Sequence, residues 1–194
     1  MTALPKKKRY TPDEYLALEE KADFRSEYED GEIVAMAGDS INHARIVRNI
    51  DRALNGKLNE SCESLTTDVK IRVENYRKFY YPDVLVFGGS PQFYQQRNDT
   101  IMNPILLVEI LSDSTEAKDR GEKMLAYRTL ESLQEYVLIS QAKPIVEQYV
   151  KNDNGSWLHK ATIGIKSVVS FESVGVELSL TEIYRRIEFE EENL

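Results

Sequence analysis

Tyr80-Tyr81-Pro82-Asp83-Val84-Leu85-Val86-Phe87 and Pro104-Ile105-Leu106-Leu107-Val108-Glu109-Ile110-Leu111-Ser112 decide how this chain reads. Each stretch is an apolar run with one acid inside it, the pattern of a buried strand. An ionised carboxylate in such a strand costs several kcal/mol unless it is paired or holds a metal. Strand side chains alternate faces, so Asp83 shares a face with Leu85 and Phe87, and Glu109 with Leu107 and Leu111. If the two strands pair, both carboxylates can lie on one side of a sheet. Magnesium takes oxygen ligands, few from protein and the rest from water or a substrate phosphate. Two acids and a backbone carbonyl are enough. Such an ion polarises a phosphodiester, generates hydroxide and steadies the leaving oxygen.

A helix is expected next, from about Glu116 to Glu131, opened by Ser114 or Thr115. At about 100° per residue, Met124, Lys123, Ala126, Tyr127 and Leu130 fall on one arc with Lys123 near its middle. Asp119 lies one turn before Lys123 on the same side. A lysine that faces a sheet beside acids either forms a structural ion pair or serves a reacting anion.

The flanking sequence organises around these elements. Thr11-Pro12-Asp13-Glu14 is a helix start with a capping box, followed by Tyr15, Leu18 and Ala22. Asp30-Gly31 within Glu27–Met36 signals a hairpin. Ser40 to Asn59 reads as a helix with Ile46, Val47, Ile50, Ala53, Leu54 and Leu58 at helical spacing, capped by Ser40 or Asn42. Residues 65–74 alternate as a half-buried strand, and Asn75 marks a turn into the Tyr80–Phe87 strand. Residues 88–103 read as a polar loop. Further strands are expected over 134–140, 145–151 and 157–163, with a turn at 152–155, and a last helix over 180–187. No internal repeat, linker or domain boundary breaks the pattern. The domain reading is a basic tail over 1–10, one domain over 11–187 and an acidic tail over 188–194. The class is mixed α/β (α+β), a central mixed sheet flanked by helices.

Bulk properties bound the function. The 194 residues suit one domain with a real core, and 30% charged against 41% hydrophobic is ordinary for a soluble protein. The single cysteine, Cys62, allows no internal disulfide and fits a reducing cytoplasm. No apolar run approaches the ~20 residues of a membrane span, and no signal peptide is evident. A net charge of -8, from 25 basic and 33 acidic residues, argues against broad non-specific nucleic-acid binding but leaves room for a local basic cleft. The basic run Lys6 to Arg9 reads as a solvated tail, with phosphate contact or a localisation signal as alternatives.

Pro82-Asp83, Val108-Glu109-Ile110-Leu111-Ser112, Asp119-x-x-x-Lys123-x-x-x-Tyr127 and Glu135-Tyr136, with Glu27 and Asp30-Gly31 upstream, resemble the Uma-type restriction endonuclease family of the PD-(D/E)XK nuclease superfamily. The resemblance runs from about Thr11 to about Leu180. It implies a restriction-endonuclease-like fold and Mg²⁺-dependent hydrolysis of a DNA phosphodiester, with Mn²⁺ as a substitute. Asp83 and Glu109 would be the metal ligands, beside the Ile110 carbonyl, and Glu27 a further catalytic acid. The superfamily places a lysine two residues after the glutamate; here that position is Leu111. Lys123 is its natural replacement, moved to the following helix. A homodimer is expected by analogy, since cutting both strands usually needs two sites.

Other residues stay open at this level. Asp68 can join the metal site or be solvated. His43 can contact phosphate, but capping or packing is the favoured reading. His159 reads as an ordinary strand residue, Ser112 as a turn or capping residue, and Tyr127 and Tyr136 as packing against the sheet. Two competitors accompany the endonuclease reading: a catalytically inactive relative serving as a binding or assembly module, and a metal-dependent hydrolase of another phosphorylated substrate.

Overall fold

Pro82 divides what reads in the sequence as one strand. In the structure, a computed structural model that describes residues 8–36, 38–66 and 68–189, β5 (Lys78–Tyr80) ends before the proline and β6 (Val84–Gly88) begins after Asp83. The two strands belong to different sheets. Proline has no N–H to give a ladder, so the chain leaves one sheet there and enters the other. Asp83 therefore lies in the bend between sheets and not inside a strand. The expected strand over 65–74 divides in the same way, into β3 (Cys62–Thr66) and β4 (Lys70–Val73). Residue 67 of that strand lies outside the described residues.

The principal sheet has six strands in the order β11-β10-β9-β8-β6-β3, with β8 (Pro104–Leu111), β9 (Glu135–Ser140), β10 (Ile145–Lys151) and β11 (Trp157–Ile163). It is mixed: β8 and β9 run parallel, and the other neighbours are antiparallel. A second sheet of order β2-β1-β5-β4-β7 carries β1 (Ser26–Glu29), β2 (Glu32–Ala35) and β7 (Thr100–Ile101). β1 and β2 form the expected hairpin, turned by Asp30 and Gly31 at φ 43° and 102°. The residues over 88–103, expected as loop, contribute β7, which pairs with β4 in parallel.

Alternation along the principal sheet builds two cores. Val84, Val86, Leu106, Val108 and Ile110 face α2 (Ile41–Asn55), α5 (Leu180–Ile183) and a hairpin of β12 (Val168–Phe171) and β13 (Val176–Ser179). Leu85, Phe87, Leu107 and Leu111 face Ile71, Val73 and Tyr80 of the second sheet together with Ala126 and Tyr127. The β12–β13 hairpin is absent from the sequence reading, and α5 is shorter than the expected 180–187. α1 (Pro12–Glu19) has the expected capping box, with Glu14 N–H donating to Thr11 Oγ1 at 3.2 Å. Ser40 caps α2 through the N–H of His43 at 3.0 Å.

The expected helix over 116–131 is a composite of α3 (Glu116–Lys118), a π turn (Asp119–Lys123) and α4 (Met124–Tyr127). A π turn inserts one residue and frees a carbonyl. Here the Tyr136 hydroxyl donates to the Asp119 carbonyl at 3.0 Å, and Arg120 grips Glu147 of β10 through two bonds of 2.7 Å. The bulge is thereby pinned to the sheet on both sides.

In the tails, Lys6, Lys7 and residues 190–194 lie outside the described residues, whereas Arg9 donates to the Asp30 carbonyl at 3.0 Å. No helix among the described residues is long and apolar enough to cross a membrane.

Candidate active site

β6 and β8 pair with Val84 opposite Val108, which sets Asp83 and Glu109 side by side at the next position. Both belong to the face that carries Leu85 and Leu107, as the alternation expected. The backbone N–H of Ile110 donates to Asp83 Oδ2 at 2.7 Å, fixing that carboxylate against β8. Glu109 lies deeper, almost fully buried. Its Oε1 accepts from Lys123 Nζ at 3.0 Å and from the Tyr127 hydroxyl at 2.8 Å.

Lys123 faces the sheet, as its helical position predicts. Its ammonium lies 3.0 Å from Glu109, 3.3 Å from Glu27 Oε1 and 3.3 Å from Asp119 Oδ1. Burial works against this charge, but Glu109, Glu27 and Asp119 outweigh it and hold the lysine pKa well above its ordinary value. Glu27, on β1, is pushed up by burial and pulled further down by Lys123 and Lys118, so its carboxyl sits below the usual value. Glu109 goes the other way. Desolvation dominates, Lys123 offsets only part of it, and the neighbouring Asp119, Asp83 and Glu27 add repulsion. Its pKa is raised well above the ordinary carboxyl value. Asp119 is raised as well, chiefly by burial, and its Oδ1 is buried with the Lys123 ammonium at 3.3 Å as its partner.

Three features lie beyond the sequence reading. The first is the π turn. In a regular α-helix, residues five apart point about 140° away from each other. Across this bulge Lys118 and Lys123 both reach Glu27, Lys118 at 2.7 Å on Oε2. The second is His43, expected mainly to cap or pack. It is buried, and its Nε2 lies 3.1 Å from Asp83 Oδ2 while Nδ1 lies 3.6 Å from Asp39 Oδ1. Burial lowers its pKa, and the bond to Asp83, with Asp39 behind it, raises it to a net value above the ordinary one. The third is the bond from Tyr127 to Glu109, which makes a packing residue part of the site. No periodicity in the sequence signals any of the three.

These groups line one cavity of about 670 Å³ between the β1–β2 hairpin, the first turn of α2 and the segment after β8. Glu27, His43, Asp83, Glu109, Lys118 and Lys123 all reach it. Asp68 does not. It pairs with Arg25 at 3.2 Å, largely exposed, which resolves that residue in favour of solvation. His159 lies on β11 beside Glu147, at 3.4 Å, away from the cavity. Leu111 packs into the core beneath α4.

Comparison with known proteins points one way. Residues 12–182 match Uma2, described as "Putative restriction endonuclease". Two proteins of Synechocystis sp., named uncharacterized proteins sll1609 and slr1290, are each 35% identical to this chain. The first aligns over 162 residues, 83% of this chain and 92% of its own length. The second aligns over 182 residues, 93% and 94%. Among solved structures, that of "a putative nuclease belonging to DUF820" from Anabaena variabilis superposes with a TM-score of 0.72 at 19% identity, covering 90% of this chain and 97% of the other.

Proposed function

Since the chain belongs to the Uma2 family, whose architecture is the restriction-endonuclease-like fold, we propose that it is a Mg²⁺-dependent endonuclease that hydrolyses DNA phosphodiester bonds. The observation that carries the reading is the buried Lys123 ammonium, within 3.3 Å of Glu109, Glu27 and Asp119 in a cavity shared with Asp83.

The donor set fits a hard cation. The protein donors to Asp83 converge on Oδ2, and those to Glu109 on Oε1. Asp83 Oδ1 and Glu109 Oε2 are thus left for an ion, with the Ile110 carbonyl beside them. Glu27, Asp83, Glu109 and Asp119 outnumber Lys118 and Lys123, and repulsion among these carboxylates adds to the burial that raises Glu109. A divalent cation would offset that repulsion. Among the described residues no three His, Cys, Asp or Glu side chains group closely enough to hold an ion alone, so water and substrate phosphate would complete a magnesium shell. Once bound, Mg²⁺ (or Mn²⁺) would activate water and stabilise the leaving oxygen.

The chain's own residues do the rest. Lys123 replaces the lysine missing at Leu111 and supplies positive charge to the phosphate as negative charge develops there. Glu27 orients Lys123 from behind and is itself held by Lys118. His43 and the Ile110 N–H fix Asp83. Cleaving both strands takes two such centres, which a homodimer supplies.

One observation favours a second reading, an inactive nuclease fold used as a binding module: three carboxylates already surround Lys123. A plasmid-nicking assay with Mg²⁺ or Mn²⁺ decides between them. Cleavage lost in both Asp83→Ala and Lys123→Ala establishes the endonuclease and its displaced lysine. A folded wild type that cleaves with neither metal moves the assignment to the binding module or to another phosphorylated substrate. Cleavage that survives Lys123→Ala rejects the lysine's role.

A further inference from the structure

A protein of net charge -8 needs a local basic surface to hold DNA, and the catalytic cavity, rich in carboxylates, does not supply one. The exposed side of α2 does. Arg45, Arg48 and Arg52 fall within about 60° of one another at about 100° per residue, opposite the buried stripe of Ile46, Ile50 and Leu54. Arg48 and Arg52 are exposed.

The end of α5 extends this stripe. Asn49 Nδ2 donates to the carbonyls of Ile183 and Arg185, both at 2.9 Å, and Arg45 donates to the carbonyl of Arg186 at 3.1 Å. These bonds dock the Arg185-Arg186 segment beside the helix. Arg52, Lys57 and Arg185 then line a depression of about 260 Å³, with Asn49 and Glu182 at its wall.

The acids of this face are already engaged. Asp51 accepts from Asn55 at 2.8 Å and Ser64 at 2.7 Å. Glu182 caps α5 and pairs with Lys57 at 3.2 Å. No ion pair reaches Arg48, Arg52 or Arg185 among the described residues.

The helix that carries the stripe also reaches the site. Ser40, Asn42 and His43 at the start of α2 line the catalytic cavity. From His43 to Arg52 the helix rises about 13 Å, close to four phosphates of one strand at about 3.4 Å each. We infer that the Arg45–Arg48–Arg52 face of α2, with Lys57 and Arg185, is a phosphate-backbone track that binds duplex DNA flanking the bond to be cut. This inference rests on the endonuclease reading for its substrate but can be tested without cleavage.

The test uses the full chain and a short fluorescein-labelled duplex, with anisotropy read in EDTA across a salt series. Wild type is compared with Arg48→Gln/Arg52→Gln/Arg185→Gln and with Lys166→Gln, an exposed lysine elsewhere. Each phosphate contact contributes about 0.9 to the slope of log K against log salt. The triple variant should therefore lose about 2–3 from that slope and bind at least tenfold more weakly at low salt, with Lys166→Gln unchanged. Turnover of bis(p-nitrophenyl) phosphate with Mn²⁺, a probe too small to reach the track, should stay at the wild-type rate. A triple variant with wild-type affinity and slope overturns the inference, as does an equal loss in Lys166→Gln. Tighter, arginine-dependent binding of an RNA of the same sequence overturns DNA as the ligand. Arginine-dependent duplex binding by a wild type that nicks nothing sinks the endonuclease reading and leaves the track standing.

Discussion

Lys123 Nζ and Glu109 Oε1 lie 3.0 Å apart, both buried, on α4's approach and on β8 respectively. The pair joins the helix that follows the sheet to the strand that carries the site's deepest acid. Removing one partner of a buried pair costs about 3–5 kcal/mol, because it leaves an uncompensated charge. Glu109 can escape part of that cost by taking up a proton, which its raised pKa already favours. Lys123→Met should therefore lower stability by about 3 kcal/mol, the low end of that range. Cleavage should vanish while the far-UV spectrum is kept. Urea unfolding beside the nicking assay measures both, and a variant with unchanged stability would contradict the pairing.

His43 should act on metal affinity more than on folding. Its Nε2 holds Asp83 Oδ2 at 3.1 Å, and loss of such outer-shell partners typically weakens metal binding by about 10–100-fold. Calorimetric titration of Mn²⁺ into His43→Leu should show a loss in that range. His43→Gln, which keeps a donor, should recover most of it. Equal affinities for wild type and the leucine variant would leave His43 a packing residue.

Metal binding should depend on pH with a definite sign. Burial raises the Glu109 pKa well above its ordinary 4.5, so the metal-free site holds its proton to higher pH than an ordinary carboxyl does, and a cation competes with that proton. Mn²⁺ affinity should rise with pH through the raised Glu109 value and then level off, with proton release visible in buffers of differing ionisation enthalpy. For stability without metal the signs separate. The raised Glu109 favours folding below 4.5, and that contribution is lost as pH rises through its folded value. The lowered Glu27 favours folding above 4.5, and that contribution is lost as pH falls through its folded value. Binding that weakens on raising pH from mildly acid to neutral would contradict the Glu109 assignment.

Much of this site is legible because its residues break local rules. Glu109 is an acid in an apolar strand, and Lys123 is a lysine on an apolar helical arc; each violation is visible in sequence and each residue lies in the cavity. Asp83 was legible for a partly different reason. It does not sit within a strand, because Pro82 ends the ladder, yet the bend still sets it beside Glu109. His43, Tyr127 and Lys118 were not legible as parts of the site. His43 sits at a helical position that packs equally well whether or not its ring meets Asp83. Lys118 depends on a π turn, and one extra residue per turn leaves no periodic trace in so short a helix. The β12–β13 hairpin leaves no signal in the sequence because its strands have four residues each, too short for alternation to stand out.

Moving the lysine back should restore part of what Lys123→Met removes. Leu111 lies two residues beyond Glu109 on the same face of β8 and packs in the core beneath Tyr127. A lysine there starts from the strand itself, on the face that carries Glu109, within reach of its carboxylate. Leu111→Lys alone would bury a second cation beside the first, and we expect it to destabilise the fold and reduce cleavage. In Lys123→Met/Leu111→Lys the methionine fills the vacated helix face and a single ammonium remains, so charge and volume are both close to wild type. The double variant should regain stability relative to Lys123→Met and recover measurable nicking, and the two substitutions should be strongly non-additive, as expected for residues that share one partner. A double variant as inactive and as unstable as the sum of the singles would show that Lys123 serves the site through the helix that carries it, and that the strand position is not its equivalent.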